Sequence, residues 1–204
     1  MPLSLLDRAG HRKYLTSAER AVFARMALSA EPHAGTFCLT LTYTGARISE
    51  VLALTTDRID VGNQAIIIET LKRRERGIFR AVPVPASLIE HLITVHSDQF
   101  AKLSGNTERL WPFSRPTAWK RVKEIMARAN IPADIAKPKA LRHAFGVEAV
   151  QQRIALNLVK KWLGHAKIES TAIYADPIGD EERALAGFMW RTLPLGVDNA
   201  RSAA

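Results

Sequence analysis

The chain has 204 residues, 47% of them hydrophobic, enough to bury one core, and since domains commonly run to about 100–200 residues a single domain is the expectation. Lys and Arg number 29 against 20 Asp and Glu, a net charge of +9, so the partner expected is a polyanion or an acidic membrane surface. No apolar run approaches the roughly 18–20 residues of a spanning helix and no signal-peptide apolar region opens the chain, which disfavours the membrane reading and leaves a cytoplasmic protein.

Thr16 with Glu19 three positions later forms a capping box, and Ala21, Phe23, Met26, Ala27 and Leu28 carry a first helix to about Ala30. Pro32 opens a second helix, apolar through Tyr43. It holds the one cysteine, Cys38, in the run FCLTLTY, where a small buried hydrophobe is expected rather than a reactive thiol or metal ligand. Gly45 ends that helix, and ARISEVLAL resumes as a third with Arg47 in its first turn. From Arg58 the pattern becomes β-branched: IDVGNQAIIIETL and GIFRAVPVP predict a small antiparallel meander. Its signals are a Gly-Asn turn at 62 and 63 and a basic KRRERG loop between the second and third strands. Helices are expected again at about 86–97, 116–129, 140–152, 155–163 and 180–191. The fold class is therefore mainly α with a small antiparallel β-sheet.

The charge is unevenly placed. Residues 72–80 carry net +4, residues 115–142 net +6, and residues 176–198 net −3. Any one basic cluster is compatible with a solvated face; two of them with an acidic tail favour a phosphate-binding surface with an uncharged or acidic opposite side.

Six positions stand out for chemistry: Arg47 after a Gly turn, Lys72 at a hairpin tip, Lys139 and Arg142 at a helix start, His165 after Gly164, and Tyr174. Each has a plain structural explanation too. Arg47 with Glu50 three later is the pattern of an ion pair, Gly164 that of a helix stop, and Tyr174 in AIYA that of a half-buried core residue. As a set they suit phosphodiester chemistry. Two arginines offer permanently charged planar forks that match phosphate oxygens, and His165, neutral or cationic, adds a further donor. Tyr174 supplies a side-chain nucleophile whose anion nearby positive charge favours. Lys72 is the candidate general acid for the leaving 5′ oxygen. No cofactor is expected and no clustered His, Asp or Glu set suggests a metal; no GxxxxGK[ST] or GxGxxG loop supports a nucleotide-hydrolysing enzyme.

TGARISEVLAL at 44–54, Lys72, KALRHAFG at 139–146, LGH at 163–165 and Tyr174 together resemble the catalytic domain of the tyrosine recombinases (the phage integrase family), over about Tyr14 to Arg191. The resemblance implies the tyrosine recombinase/type IB topoisomerase-like fold. It also implies site-specific cleavage and rejoining of double-stranded DNA through a covalent 3′-phosphotyrosine on Tyr174, with Arg47, Lys72, Lys139, Arg142 and His165 as the other catalytic residues. Lys139 stands where most of the family has His; it resembles the topoisomerase arrangement and is expected to donate to phosphate rather than act as base. His143 and Glu50 are expected to support the site from behind. Phosphate contacts are expected from Arg73, Arg74, Lys120, Arg121, Lys123, Lys160 and Lys161.

In size and opening layout the chain resembles the short fimbrial phase-variation invertases. The expected organisation is a short extension (1–13), a catalytic domain (14–191) and a tail (192–204), without the N-terminal core-binding domain usual in the family. A helix over 180–191, with Leu185, Phe188 and Met189 on one face, packs either on its own core or on a neighbouring protomer. The family resemblance implies the latter and a tetramer on DNA. Two other functions remain open: a topoisomerase-like nicking and resealing enzyme, and a noncatalytic DNA-binding regulator that keeps the fold.

Overall fold

The helices begin where the sequence places side chains able to satisfy their first N–H groups. The computed structural model describes residues 4–7, 9–71, 77–102, 108–175 and 186–187. In α1 (Ser17–Leu28) the Thr16 hydroxyl accepts the Glu19 N–H at 3.3 Å while the Glu19 carboxylate accepts the Thr16 N–H at 2.8 Å, so the expected capping box is closed from both sides. The Arg12 guanidinium grips the same carboxylate at 2.6 and 2.5 Å and ties the preceding segment down. Leu5, Tyr14 and Leu15 join the core from that segment.

Helix α2 (Pro32–Thr44) is the central element, buried at nearly every position from Ala34 to Thr44. It packs against α1, α4 (Ala86–Val95), α6 (Arg115–Arg128) and α7 (Pro138–Gln151). Four threonines in a buried helix would be costly if their hydroxyls were unpaired. Thr36, Thr40, Thr42 and Thr44 each donate to the carbonyl four residues back, at 2.6–3.0 Å. The Thr36 oxygen also takes the Trp111 indole N–H at 3.1 Å and pairs with Nε2 of the buried His96 at 3.1 Å. Cys38 is buried, and that burial pushes its thiol pKa up, in keeping with the packing role expected of it.

Gly45 ends α2 at φ +60°, and α3 (Ile48–Val51) is a single turn, shorter than ARISEVLAL suggests. The meander forms as expected. Strands β1 (Ile59–Asp60), β2 (Ala65–Glu69) and β3 (Phe79–Pro83) pair antiparallel in the order β1-β2-β3, with Ile66 opposite Val82 and Ile68 opposite Arg80. The helix expected over 86–97 breaks at His96 into α4 and the short α5 (Ser97–Phe100). The later helices are α6, α7, α8 (Leu156–Leu163) and α9 (Glu169–Ala172), the last running into a 3-10 turn at Ile173–Ala175. Lys72, Arg73 and Arg74 lie outside the described residues, as does the helix expected over 180–191 apart from Ala186 and Gly187. No helix among the described residues is long and apolar enough to cross a membrane.

Candidate active site

Helix α7 presents Lys139, Arg142, His143 and Gly146 on one face, the i, i+3, i+4, i+7 spacing of a helix. Arg142 is 7% exposed, and its guanidinium donates to the Gly45 carbonyl at 2.9 Å and to the Leu163 carbonyl at 2.6 Å. Those carbonyls lie two residues before Arg47 and His165, so one side chain fixes both loops. Burial, with Arg47 nearby, pulls the Arg142 pKa down to about 10, which leaves it a cation at neutral pH.

Arg47 is the N-cap of α3. Its backbone N–H donates to Glu50 Oε2 at 3.0 Å and its Nη1 to Glu50 Oε1 at 2.7 Å. The surface-type ion pair is thus present, but the carboxylate is wholly buried and has a second cationic partner. Arg80, from β3, donates to Glu50 Oε2 at 2.6 Å, to the Thr70 hydroxyl at 2.9 Å and to the Trp162 carbonyl at 2.7 Å. Burial on its own would raise the Glu50 carboxyl; the charge of Arg80 and the N–H of Arg47 more than offset that and hold it below its ordinary value.

Gly164 at φ +66° closes α8 with a Schellman pair: its N–H goes to the Lys161 carbonyl and that of His165 to the Lys160 carbonyl, both at 3.1 Å. The chain turns there, bringing His165 Nδ1 to 2.9 Å from the buried Thr171 hydroxyl. Burial and the arginines around it push the His165 pKa to about 3, so the imidazole is neutral at physiological pH. Its ring lies near parallel to that of Tyr174, with centroids 6.2 Å apart and planes 12° apart.

Tyr174 is 1% exposed, so the core reading of AIYA also holds. Its ring rests on Gly146, where an added Cβ would come within 2.7 Å of three ring carbons. Its hydroxyl pairs with His143 Nδ1 at 3.2 Å. His143, 5% exposed, is neutral as well, its pKa drawn to about 4 by burial and by Lys139 and Arg142. The expectation that cations ease ionisation of the phenol needs correction. Arg142 and Arg47 do pull its pKa down, but burial outweighs them and the net shift is upward.

Arg47, Lys139, Arg142, His143, His165 and Tyr174 line one cleft of about 800 Å³. Arg115, Trp119, Lys137 and Ser170, not singled out by sequence, share its walls. Lys139 stands exposed at the rim. Lys72 cannot be placed in the cleft, since it lies outside the described residues with Arg73 and Arg74. Lys120, Arg121, Lys123, Lys160 and Lys161 are not cleft-lining. Lys123 sits 5.7 Å over the half-exposed Trp119 ring, beside the opening, whereas Arg121 pairs with Glu124 at 3.2 Å and acts on Glu31, at the start of α2. Among the described residues no three His, Cys, Asp or Glu side chains come together in a group able to hold a metal ion.

Sequence reasoning missed Arg80, Thr171 and Gly146. Arg80 was counted within an exposed basic cluster; strand period two, which puts it on the face of buried Val82, was the signal that places it inside. A glycine within a helical pattern marked close approach at Gly146. Nothing local distinguishes Thr171.

Residues 19–179 match the phage integrase family. Tyrosine recombinase XerD of Mycobacterium tuberculosis (strain CDC 1551 / Oshkosh) is 30% identical over 182 residues, which are 84% of this chain and 53% of that protein. The chain thus spans about half the length of the curated relatives it matches. Among solved structures, the XerA recombinase superposes with a TM-score of 0.74 at 20% identity, over 86% of this chain and 64% of that one. The XerH site-specific recombinase bound to its difH substrate, a pre-cleavage complex, gives 0.70 at 20% identity over 91% and 59%. At these identities the structural likeness speaks for the fold.

Proposed function

This chain belongs to the phage integrase family, and on that premise we propose that it is a site-specific recombinase that cleaves and rejoins double-stranded DNA through a covalent 3′-phosphotyrosine on Tyr174. The observation that carries the reading is the convergence of Arg47, Arg142, His165 and Tyr174 on one cleft, from segments far apart in the chain.

In this reading the scissile phosphate enters the cleft and its nonbridging oxygens take N–H donors from Arg47 and Arg142, whose forks are already oriented by Glu50 and by the Gly45 and Leu163 carbonyls. His165 Nδ1 is paired with the Thr171 hydroxyl; with that hydroxyl as the hydrogen-bond donor, the neutral ring carries its proton on Nε2 and offers Nε2–H to the same oxygens. Lys139, at the rim, adds a donor. Tyr174 leaves His143, and its Oη attacks phosphorus in line with the 5′ oxygen. The phenol gives its proton to solvent water as the Oη–P bond forms and the P–O5′ bond breaks, and Lys72 gives a proton to the departing 5′ oxygen and recovers one from solvent. Attack by a 5′ hydroxyl of a second strand reverses the step and joins new partners. The chemistry conserves the bond, so nothing else is consumed.

The same proposal includes Glu50 and His143 as supports, backbone contacts from the basic residues outside the cleft other than Arg121, which Glu124 engages, action in the cytoplasm, and assembly of a tetramer on DNA through the apolar C-terminal positions Leu185, Phe188 and Met189. The test is to incubate wild type and Tyr174→Phe with nicked duplexes drawn from the chain's own genomic surroundings and look for a denaturation-resistant adduct. Wild type alone should give one; an adduct in Tyr174→Phe would refute the nucleophile assignment. Relaxation of supercoils without exchange between paired sites would favour the topoisomerase-like alternative.

A further inference from the structure

Among the described residues Arg80 is a buried cation outside the cleft wall. Its side chain is 4% exposed, it belongs to β3, and it bonds to three other segments. Thr70 directly follows β2, Glu50 holds Arg47, and the Trp162 carbonyl precedes Gly164 and His165. The guanidinium also packs flat against Gly164, where an added Cβ would fall 2.9 Å from Nη1 and 3.0 Å from Cζ.

The charges explain why a second arginine is needed. Glu50 is wholly buried, and Arg47, 27% exposed at the side chain, is the one member of the trio that reaches the cleft. With Arg47 as its sole partner, the carboxylate would cancel that arginine's charge before any phosphate arrived. Arg80 takes Oε2 and leaves Arg47 on Oε1, so the trio keeps one net positive charge and its exposed member is Arg47. Its bonds to the Thr70 hydroxyl and the Trp162 carbonyl keep Arg80 from being displaced by the arginine it relieves.

We propose that Arg80 is a positioning residue for the phosphate clamp: by taking up the charge of Glu50 it leaves Arg47 oriented by a carboxylate but still net cationic toward a phosphodiester. The assignment rests on the recombinase reading only for its biological purpose; the charge relation is testable on the free protein. The probe is inorganic vanadate, an oxyanion that mimics the pentacoordinate phosphorus, titrated by calorimetry into wild type, Arg80→Gln, Glu50→Gln and the double variant, each checked for folding by thermal melting. Arg80→Gln should weaken vanadate binding by about tenfold or more, the loss of a charge-assisted contact. Glu50→Gln, which adds a net charge, should tighten it. The double variant, which restores the wild-type charge, should return to the wild-type affinity.

A merely structural arginine predicts otherwise, since the double variant would then bind as weakly as the worse single one. That result, or wild-type affinity in Arg80→Gln, or weaker binding in Glu50→Gln, would overturn the proposal. Where either single variant does not fold, the double variant decides, because it removes both buried charges together. If the vanadate pattern holds but wild type forms no adduct with nicked DNA, the recombinase reading falls and the role of Arg80 stands. If the adduct forms without the pattern, Arg80 falls alone.

Discussion

The Tyr174 hydroxyl lies 3.2 Å from Nδ1 of His143, three residues from the glycine on which its ring rests. The nucleophile proposed here is therefore seated against helix α7 and directed to an uncharged imidazole. On the proposed mechanism, release from that seat precedes attack.

Gly146→Ala tests the seat. The new methyl would press within 2.7 Å of the Tyr174 ring, while Ala is favoured over Gly in a helix by roughly 0.5–1 kcal/mol. DNA retention in a gel should persist and adduct formation should fall on the order of 100-fold, the usual consequence of a displaced reacting group. Unchanged adduct rates would mean that the ring seen on Gly146 is not the reactive placement.

Stability should depend on pH through the buried histidines. His96 and His143 are held near 4 and His165 near 3, all below the ordinary 6.5. Each is lowered first by burial, so the unfolded chain binds protons that the folded one refuses. Their contribution is fully present above about pH 7.5 and is lost as pH falls from 6.5 toward 4, by up to about 1.4 kcal/mol per pH unit for each fully buried imidazole. Urea midpoints measured from pH 8 to pH 4 should be flat and then fall. His143→Asn should fall less steeply; an identical slope would place His143 in a solvated setting.

Gly164→Ala carries two penalties. At φ +66° a side chain is strained by about 1–2 kcal/mol, and its Cβ would meet the Arg80 guanidinium at 2.9 Å. Gly10→Ala is the control, with φ +83° and nothing within 4 Å of the added carbon. Urea unfolding should show a larger loss at Gly164 than at Gly10, and the excess measures the packing on Arg80. Equal losses would leave backbone strain as the whole effect.

The surface cations should separate by salt dependence. A lysine that contacts a backbone phosphate lowers the slope of log affinity against log salt by about 0.9 when replaced. Lys123→Ala, beside Trp119 at the cleft opening, should do so. Arg121→Ala should not, because Arg121 is engaged by Glu124 on the side near Glu31. A full slope change at Arg121 would reverse the side of α6 taken to face DNA.

Local signals carried the elements. The Thr16–Glu19 box, Pro32, the turn at 62 and 63, and Gly164 each act through backbone groups a few residues away, and each element appears where they place it. Helix α3 came out as one turn and the helix at 86–97 broke at His96, because packing of Glu50 and His96 in the interior overrides propensity. Arg47 and Tyr174 keep their plain structural roles. The ion pair and the buried ring are real, and both residues line the cleft all the same.

By itself the sequence determined which residue types stand at which intervals: a cap, an i, i+3, i+4, i+7 face on α7, a helix stop before His165, and a cationic excess. These follow from the periods of helix and strand and from the φ that glycine permits, all of which are short-range. Only the tertiary structure decided protonation and charge sharing. Whether Tyr174 ionises easily depends on burial set against Arg142 and Arg47, and the Glu50 carboxylate beside Arg47 is shared with an Arg80 brought from 33 positions away. Desolvation and Coulomb interactions act through space, so no spacing along the chain encodes their balance.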